Sequence, residues 1–122
     1  MEYKVFVYGT LMKGRSNHHY LKDSTYLYDA LLDDYILYDT GFHYPAAVPM
    51  KGSSIIGEVY AIDEKTRQEC DALEEEGILY ACKKVTVRNS DLKEEVSFYE
   101  YIEDVSSMKL YTHEGKWQDQ RK

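Results

Sequence analysis

Beta-prone runs follow one another along this chain with a single clear helix signal between them, and that order limits the fold more than any one motif does. Val5-Phe6-Val7-Tyr8 is a short apolar run stopped by Gly9 and reads as a buried first strand. Arg15 to Lys22 reads as a short helix or turn. Tyr26 to Asp39, rich in Tyr and Leu, reads as two strand segments with a bend near Asp33 and Asp34. Gly41 to Pro49 holds both prolines and reads as an irregular loop. Ile55 to Ile62 is a further strand, with Gly57 at a bulge or a close backbone approach. Asp63 is a good N-cap and Glu64 puts negative charge in the first turn, so a helix is expected through Thr66 to Leu73, ended by Gly77. Lys84 to Arg88 alternates cleanly, Asn89-Ser90-Asp91 makes a turn, and Val96 to Ile102 is its antiparallel partner. About six strands and one helix, without regular beta-alpha alternation, predict an α+β fold: a small, mixed, mostly antiparallel barrel with one or two short flanking helices. The 13 Tyr of the chain agree, since Tyr suits strands and half-buried surfaces.

At 122 residues the chain has room for one domain, expected over residues 1–112, with a polar tail over 113–122 whose one large apolar residue is Trp117. The net charge of −7 argues against a nucleic-acid partner, whose footprint would be a basic face, and against an anionic membrane surface. An anionic small substrate stays compatible with it, because local donors matter more than net charge. Cys70 and Cys82 have neither metal-ligand nor CxxC spacing and read as two free thiols of a reducing compartment. The strand-like run begins near the first residue, no secretory pattern precedes it, and no apolar stretch nears the ~18 residues that span a bilayer. The expectation is a cytoplasmic monomer or homodimer.

Three groups of residues could carry chemistry. Gly9-Thr10-Leu11-Met12-Lys13-Gly14-Arg15-Ser16 nearly matches the phosphate loop GxxxxGK[ST], with Arg15 in the Lys slot. Tyr35 to Asp39 would then serve as the apolar strand and acid of a nucleotide hydrolase. Arg does not replace the compact ammonium of Lys, and the regular parallel pattern is missing. Without that template, Tyr8-Gly9-Thr10-Leu11 is a strand end opening into a tight loop. It is either a turn whose Gly satisfies a positive φ, or a backbone concavity for a carboxylate or an oxyanion. The second group is Glu74-Glu75-Glu76. A carboxylate run at a helix C-terminus opposes the macrodipole, and like charges in proximity raise the pKa of one member, as acid/base work near pH 7 needs. Local reasoning does not choose among the three. His18, His19, His43 and His113 lack a ligand pattern, and no GxSxG is present, so neither metal nor covalent catalysis is expected.

Taken in order, the segments resemble the gamma-glutamyl cyclotransferase superfamily, including gamma-glutamylamine cyclotransferases. The resemblance runs over roughly residues 3 to 105. It passes through Val5 to Leu11, Lys13-Gly14, Asn17-His18-His19-Tyr20-Leu21, Leu37-Tyr38-Asp39-Thr40-Gly41 and Tyr44-Pro45-Ala46-Ala47-Val48. It continues through Ile56-Gly57-Glu58-Val59-Tyr60, Asp71-Ala72-Leu73-Glu74, and Tyr80 leading into Val85-Thr86-Val87. It implies a small barrel with short helices, a loop at Tyr8, Gly9, Thr10 and Leu11 that binds a glutamyl group through backbone amides, and Glu74 as the acid/base. Tyr80 is implied as a substrate contact. No cofactor or metal is implied; the substrate would be a gamma-glutamyl amide, closed to 5-oxoproline with loss of an amine. A barrel of the same kind that holds a small carboxylate without turnover is the alternative. Three positions depart from the family pattern. Cys70 stands for Leu, Glu75 for a frequent Gly, and Cys82 for a frequent Arg, followed here by Lys83 and Lys84.

Overall fold

The computed structural model describes residues 3–9, 11–14, 18–40, 45–74 and 79–110. Thr10, Gly77, the pair Glu75-Glu76 and the tail over 113–122 lie outside the described residues. In chain order the elements are β1 (Tyr3–Val7), a short 3-10 turn (His18–Leu21), β2 (Thr25–Asp39), β3 (Pro45–Ile62), α1 (Glu64–Leu73), β4 (Tyr80–Asn89), β5 (Leu92–Tyr101) and β6 (Lys109–Leu110).

The strands run in the order β3-β1-β5-β4-β2-β6, and an additional β2–β3 pairing closes the first five into a barrel. Only β1 and β5 run parallel, Val5 beside Ser97 and Phe6 beside Phe98; the other pairings are antiparallel. Closure gives the interior a continuous apolar filling: Phe6, Phe98, Leu37, Ile55, Val59 and Val96 are all at or near zero exposure. The mixed, mostly antiparallel α+β barrel is the fold expected from the strand order, and among the described residues no helix is long and apolar enough to cross a membrane.

Two segments differ from expectation. Tyr26 to Asp39 is one strand, because the bend is a bulge that the ladder spans: the register shifts between Asp33 and Tyr35, and Asp34 takes φ 65°. Asp34 Oδ1 accepts the Gly52 N–H at 3.0 Å from the outward bow of β3 that faces it. Pro45 to Pro49, read as loop, is the first part of β3. This stretch pairs with β2 alone and meets β1 only from Glu58 onward, so proline removes no donor that a second neighbour needs. The count of six strands is reached by different parts: the halves of β2 merge, and the short β6 supplies the sixth.

Gly57 answers to close approach. A Cβ there would lie 2.6 Å from Phe6 Cζ and against the Val7 carbonyl, where β3 crosses β1. The β4–β5 hairpin is longer than its alternating centre, with Ser90 at φ 51° in the turn. α1 begins as its sequence requires: Asp63 Oδ1 accepts the Thr66 N–H at 2.8 Å. It ends at Glu74, whose N–H donates to the Cys70 carbonyl at 2.9 Å. Neither Cys70, on the buried face of α1, nor Cys82, half-buried on β4, takes part in a disulfide among the described residues.

Candidate active site

The end of β1 and the end of α1 meet at one cleft. Phe6, Val7, Tyr8, Gly9, Leu11, Pro45, Glu74, Tyr80 and Tyr99 line it, and its empty volume is about 320 Å³, part of it open to solvent. Of the residues singled out from sequence, Tyr8, Gly9, Leu11, Tyr80 and Glu74 come together here, while Thr10 lies outside the described residues.

Gly9 has no positive φ; its small size serves another purpose. A Cβ at Gly9 would come 2.8 Å from Pro45 Cδ and 3.0 Å from Cγ, closer than atoms tolerate without movement. Glycine therefore lets the loop lie flat against the start of β3. The loop is held on three sides. Met12 N–H donates to the Gly9 carbonyl at 3.1 Å, Lys13 N–H donates to Glu58 Oε1 at 2.8 Å, and His18 Nδ1 lies 2.9 Å from the Leu11 carbonyl. Glu58 is fixed in turn by the Tyr60 hydroxyl at 2.9 Å. His18 thus holds the loop from behind. The Gly9 and Leu11 backbone borders the cleft at the end of β1.

The two tyrosines expected at the site shape it and commit their hydroxyls to the frame. Tyr8 donates to the Tyr99 carbonyl at 2.7 Å, and Tyr80 donates to the Pro45 carbonyl at 2.6 Å. Burial and then the nearby Glu74 charge push the Tyr8 hydroxyl well above its ordinary pKa, so it stays protonated.

Glu74 is the chemically exceptional member. It caps α1, lines the cleft, and among the described residues its carboxyl has no hydrogen-bond or ion-pair partner. Burial alone raises its pKa from 4.5 to about 7. A lone carboxyl poised between its two protonation states near neutrality, in a cleft, is the arrangement that acid/base chemistry requires. The neighbouring Cys70 thiol is pushed up to about 12, first by burial and then by the Glu74 charge, and is inert as a nucleophile. Among the described residues, no cluster of three or more His, Cys, Asp or Glu is placed to hold a metal ion.

Sequence reasoning did not single out four of the lining residues as site residues: Phe6, Val7, Pro45 and Tyr99. Pro45 was hidden by its reading as loop. Tyr99 was one Tyr among many, and only the register that sets it opposite Cys82 on β4 brings it below α1.

The family model described as gamma-glutamyl cyclotransferase, AIG2-like, matches residues 5–119. YtfP of Escherichia coli (strain K12), a gamma-glutamylcyclotransferase family protein, is 37% identical over 119 residues, covering 98% of this chain and 99% of its own. Among solved structures, PH0828 of Pyrococcus horikoshii is 30% identical with a TM-score of 0.69, covering 81% of this chain and 77% of its own. An AIG2-like protein of Mus musculus superposes with a TM-score of 0.83 over 93% of this chain and 87% of its own; at 23% identity it speaks for the fold alone.

Proposed function

The chain belongs to the gamma-glutamyl cyclotransferase, AIG2-like family, and from that premise we propose that it closes gamma-glutamyl amides to 5-oxoproline, with Glu74 as the acid/base. The observation that carries the proposal is the Glu74 carboxyl, unpartnered among the described residues and with its pKa raised to about 7, in the cleft that Gly9 and Leu11 line.

The reaction needs little from the protein beyond position and one proton carrier. The α-nitrogen and the γ-carbonyl carbon belong to the same molecule and are a five-membered ring apart, so holding the chain folded removes most of the entropic barrier. Glu74 as carboxylate takes a proton from the α-ammonium. The freed amine attacks the γ-carbonyl carbon, a new C–N bond forms, and the carbonyl oxygen becomes an oxyanion. The oxyanion collapses, the bond to the leaving nitrogen breaks, and that nitrogen takes the proton from Glu74. The ring nitrogen, still carrying two protons after attack, gives one up through Glu74 to the departing amine, so the products are 5-oxoproline and an ammonium ion, and Glu74 returns to its starting state. One carboxyl acting as base and then as acid contributes roughly 10²–10⁴-fold. The Gly9 and Leu11 N–H groups hold the substrate α-carboxylate or the oxyanion, and Pro45, Tyr80 and Tyr99 form one wall of the cleft.

The near-phosphate loop gains no support as a nucleotide site. After Gly14 the described chain continues as a single 3-10 turn, and the sheet around it is mostly antiparallel. The test of the main reading is a panel of gamma-glutamyl amino acids, gamma-glutamylamines and glutathione, with 5-oxoproline measured directly. Release from at least one class is expected. No release from any of them would refute turnover and leave a binding protein on the same barrel.

A further inference from the structure

Tyr99 joins the two halves of the cleft in a way that neither its burial nor its strand position requires. Its carbonyl accepts the Tyr8 hydroxyl at 2.7 Å, next to the Gly9 loop. Its own hydroxyl donates to Asp71 Oδ1 on α1, three residues before Glu74. Tyr99 lines the cleft between these two ends, at 4% exposure. From the loop to the acid/base the path is Tyr8, Tyr99, Asp71 and then the last turn of α1, where Glu74 N–H closes on the Cys70 carbonyl.

We propose that Tyr99 is a positioning residue: by tying the C-terminal turn of α1 to the strand that anchors Tyr8, it sets the separation between the Glu74 carboxyl and the Gly9 loop. This rests on the reading of Glu74 as acid/base but concerns a different residue and a measurable geometry. The other end of the helix provides the control. There the Tyr3 hydroxyl donates to Glu64 Oε1 at 2.5 Å, and the Arg67 guanidinium lies 4.9 Å above the Tyr3 ring. Both ends of α1 are therefore clamped to the sheet by a Tyr-to-carboxylate bond. Only the Tyr99 clamp borders the cleft.

Among the described residues, the titratable groups beside Glu74 or sharing its cleft are Cys70 from its own helix, Tyr8 from β1, Tyr80 from β4 and Tyr99 from β5. Burial keeps Cys70, Tyr8 and Tyr99 neutral, so none of these three supplies a charge that would hold Glu74 in place. The helix end that carries Glu74 is held to β5 through Asp71.

The experiment compares Tyr99→Phe with Tyr3→Phe. Each removes one hydroxyl and one clamp. The Glu74 pKa is read by ¹³C-carboxyl titration of the protein alone, and kcat and KM are measured on whichever gamma-glutamyl compound is turned over. With Tyr99→Phe, loosening of the last turn lets water reach the carboxyl. Its pKa should fall by about one unit or more toward the ordinary value, and kcat should fall roughly 10- to 100-fold with KM little changed. Tyr3→Phe should cost stability and leave both readings in place. Asp71→Ala should reproduce Tyr99→Phe, whereas Asp71→Asn, which keeps an accepting oxygen, should stay near wild type. The proposal is overturned if Tyr99→Phe and Tyr3→Phe are indistinguishable, or if the Glu74 pKa is unmoved in both Tyr99→Phe and Asp71→Ala. Because the titration needs no turnover, an inactive wild type would refute the proposed function while the pKa comparison still decides the role of Tyr99.

Discussion

The two ends of β4 treat charge in opposite ways. At the Arg88 end, carboxylates sit on the outside with partners: the Arg88 guanidinium reaches both oxygens of Asp33 at 2.7 and 3.1 Å, and the Ser54 hydroxyl adds a bond at 2.7 Å. These hydrogen bonds, Arg88's first, hold the Asp33 carboxyl below its usual range. At the Tyr80 end, Glu74 is half-buried in a cleft lined by aromatic residues, with no partner among the described residues, and desolvation raises its pKa to about 7. The first end is an ordinary solvated surface, where an ion pair contributes little. The second keeps an uncompensated group that costs stability, and such a cost persists where the group has work to do.

Exchanging a charge at each end should break this comparison if it is wrong. The largest effect expected is on activity: Glu74→Gln should lower 5-oxoproline release by at least about 100-fold with the fold intact, and Glu75→Gln and Glu76→Gln should be mild beside it. Equal losses in all three would remove Glu74 from its role. Next comes Gly9→Ala, whose Cβ has to push Pro45 away across the cleft. It should lower kcat/KM about 10-fold or more, with circular dichroism showing an unchanged barrel. An alanine variant with full activity would show that the tight loop-to-β3 contact is incidental. The smallest effect belongs to Asp33→Asn at the far end of β4, which should leave kcat/KM unchanged and the melting temperature nearly so. A marked loss of activity there would mean that the two ends are coupled.

How much of this was legible in the chain depended on whether the signal was local. The Asp63 cap, the alternation of Lys84 to Arg88 and the Asn89-Ser90-Asp91 turn follow from neighbouring residues, and the structure contains each of them. The extension of β3 back to Pro45 did not follow, because whether a proline spoils a strand depends on which side has a neighbour, and that is set by the closure of the barrel. Gly9 was legible as a special position but not for its reason: the constraint is the Pro45 ring, 36 residues along the chain, and not a backbone angle. Glu74 could not be separated from Glu75 and Glu76 by charge or helix position; the family register singled it out, and the geometry puts it on the cleft wall. Tyr99 was invisible for a related reason. A hydroxyl that bridges two elements looks like any strand Tyr until the elements are packed.

The central claim is that the Glu74 carboxyl is desolvated in the cleft without a partner among the described residues, and linkage tests it most directly. Its pKa is raised on folding, so the native state holds a proton that the unfolded chain has released between pH 4.5 and about 7. The stability this proton confers is fully present below 4.5 and is lost as pH rises through 7. Unfolding free energies of wild type and Glu74→Gln should therefore be measured from pH 4.5 to 8. The difference should shift steadily in favour of the variant, by up to about 3 kcal/mol at the alkaline end. A difference that is flat with pH, or that moves in favour of the wild type, would place that carboxyl in solvent or in an ion pair and contradict the account.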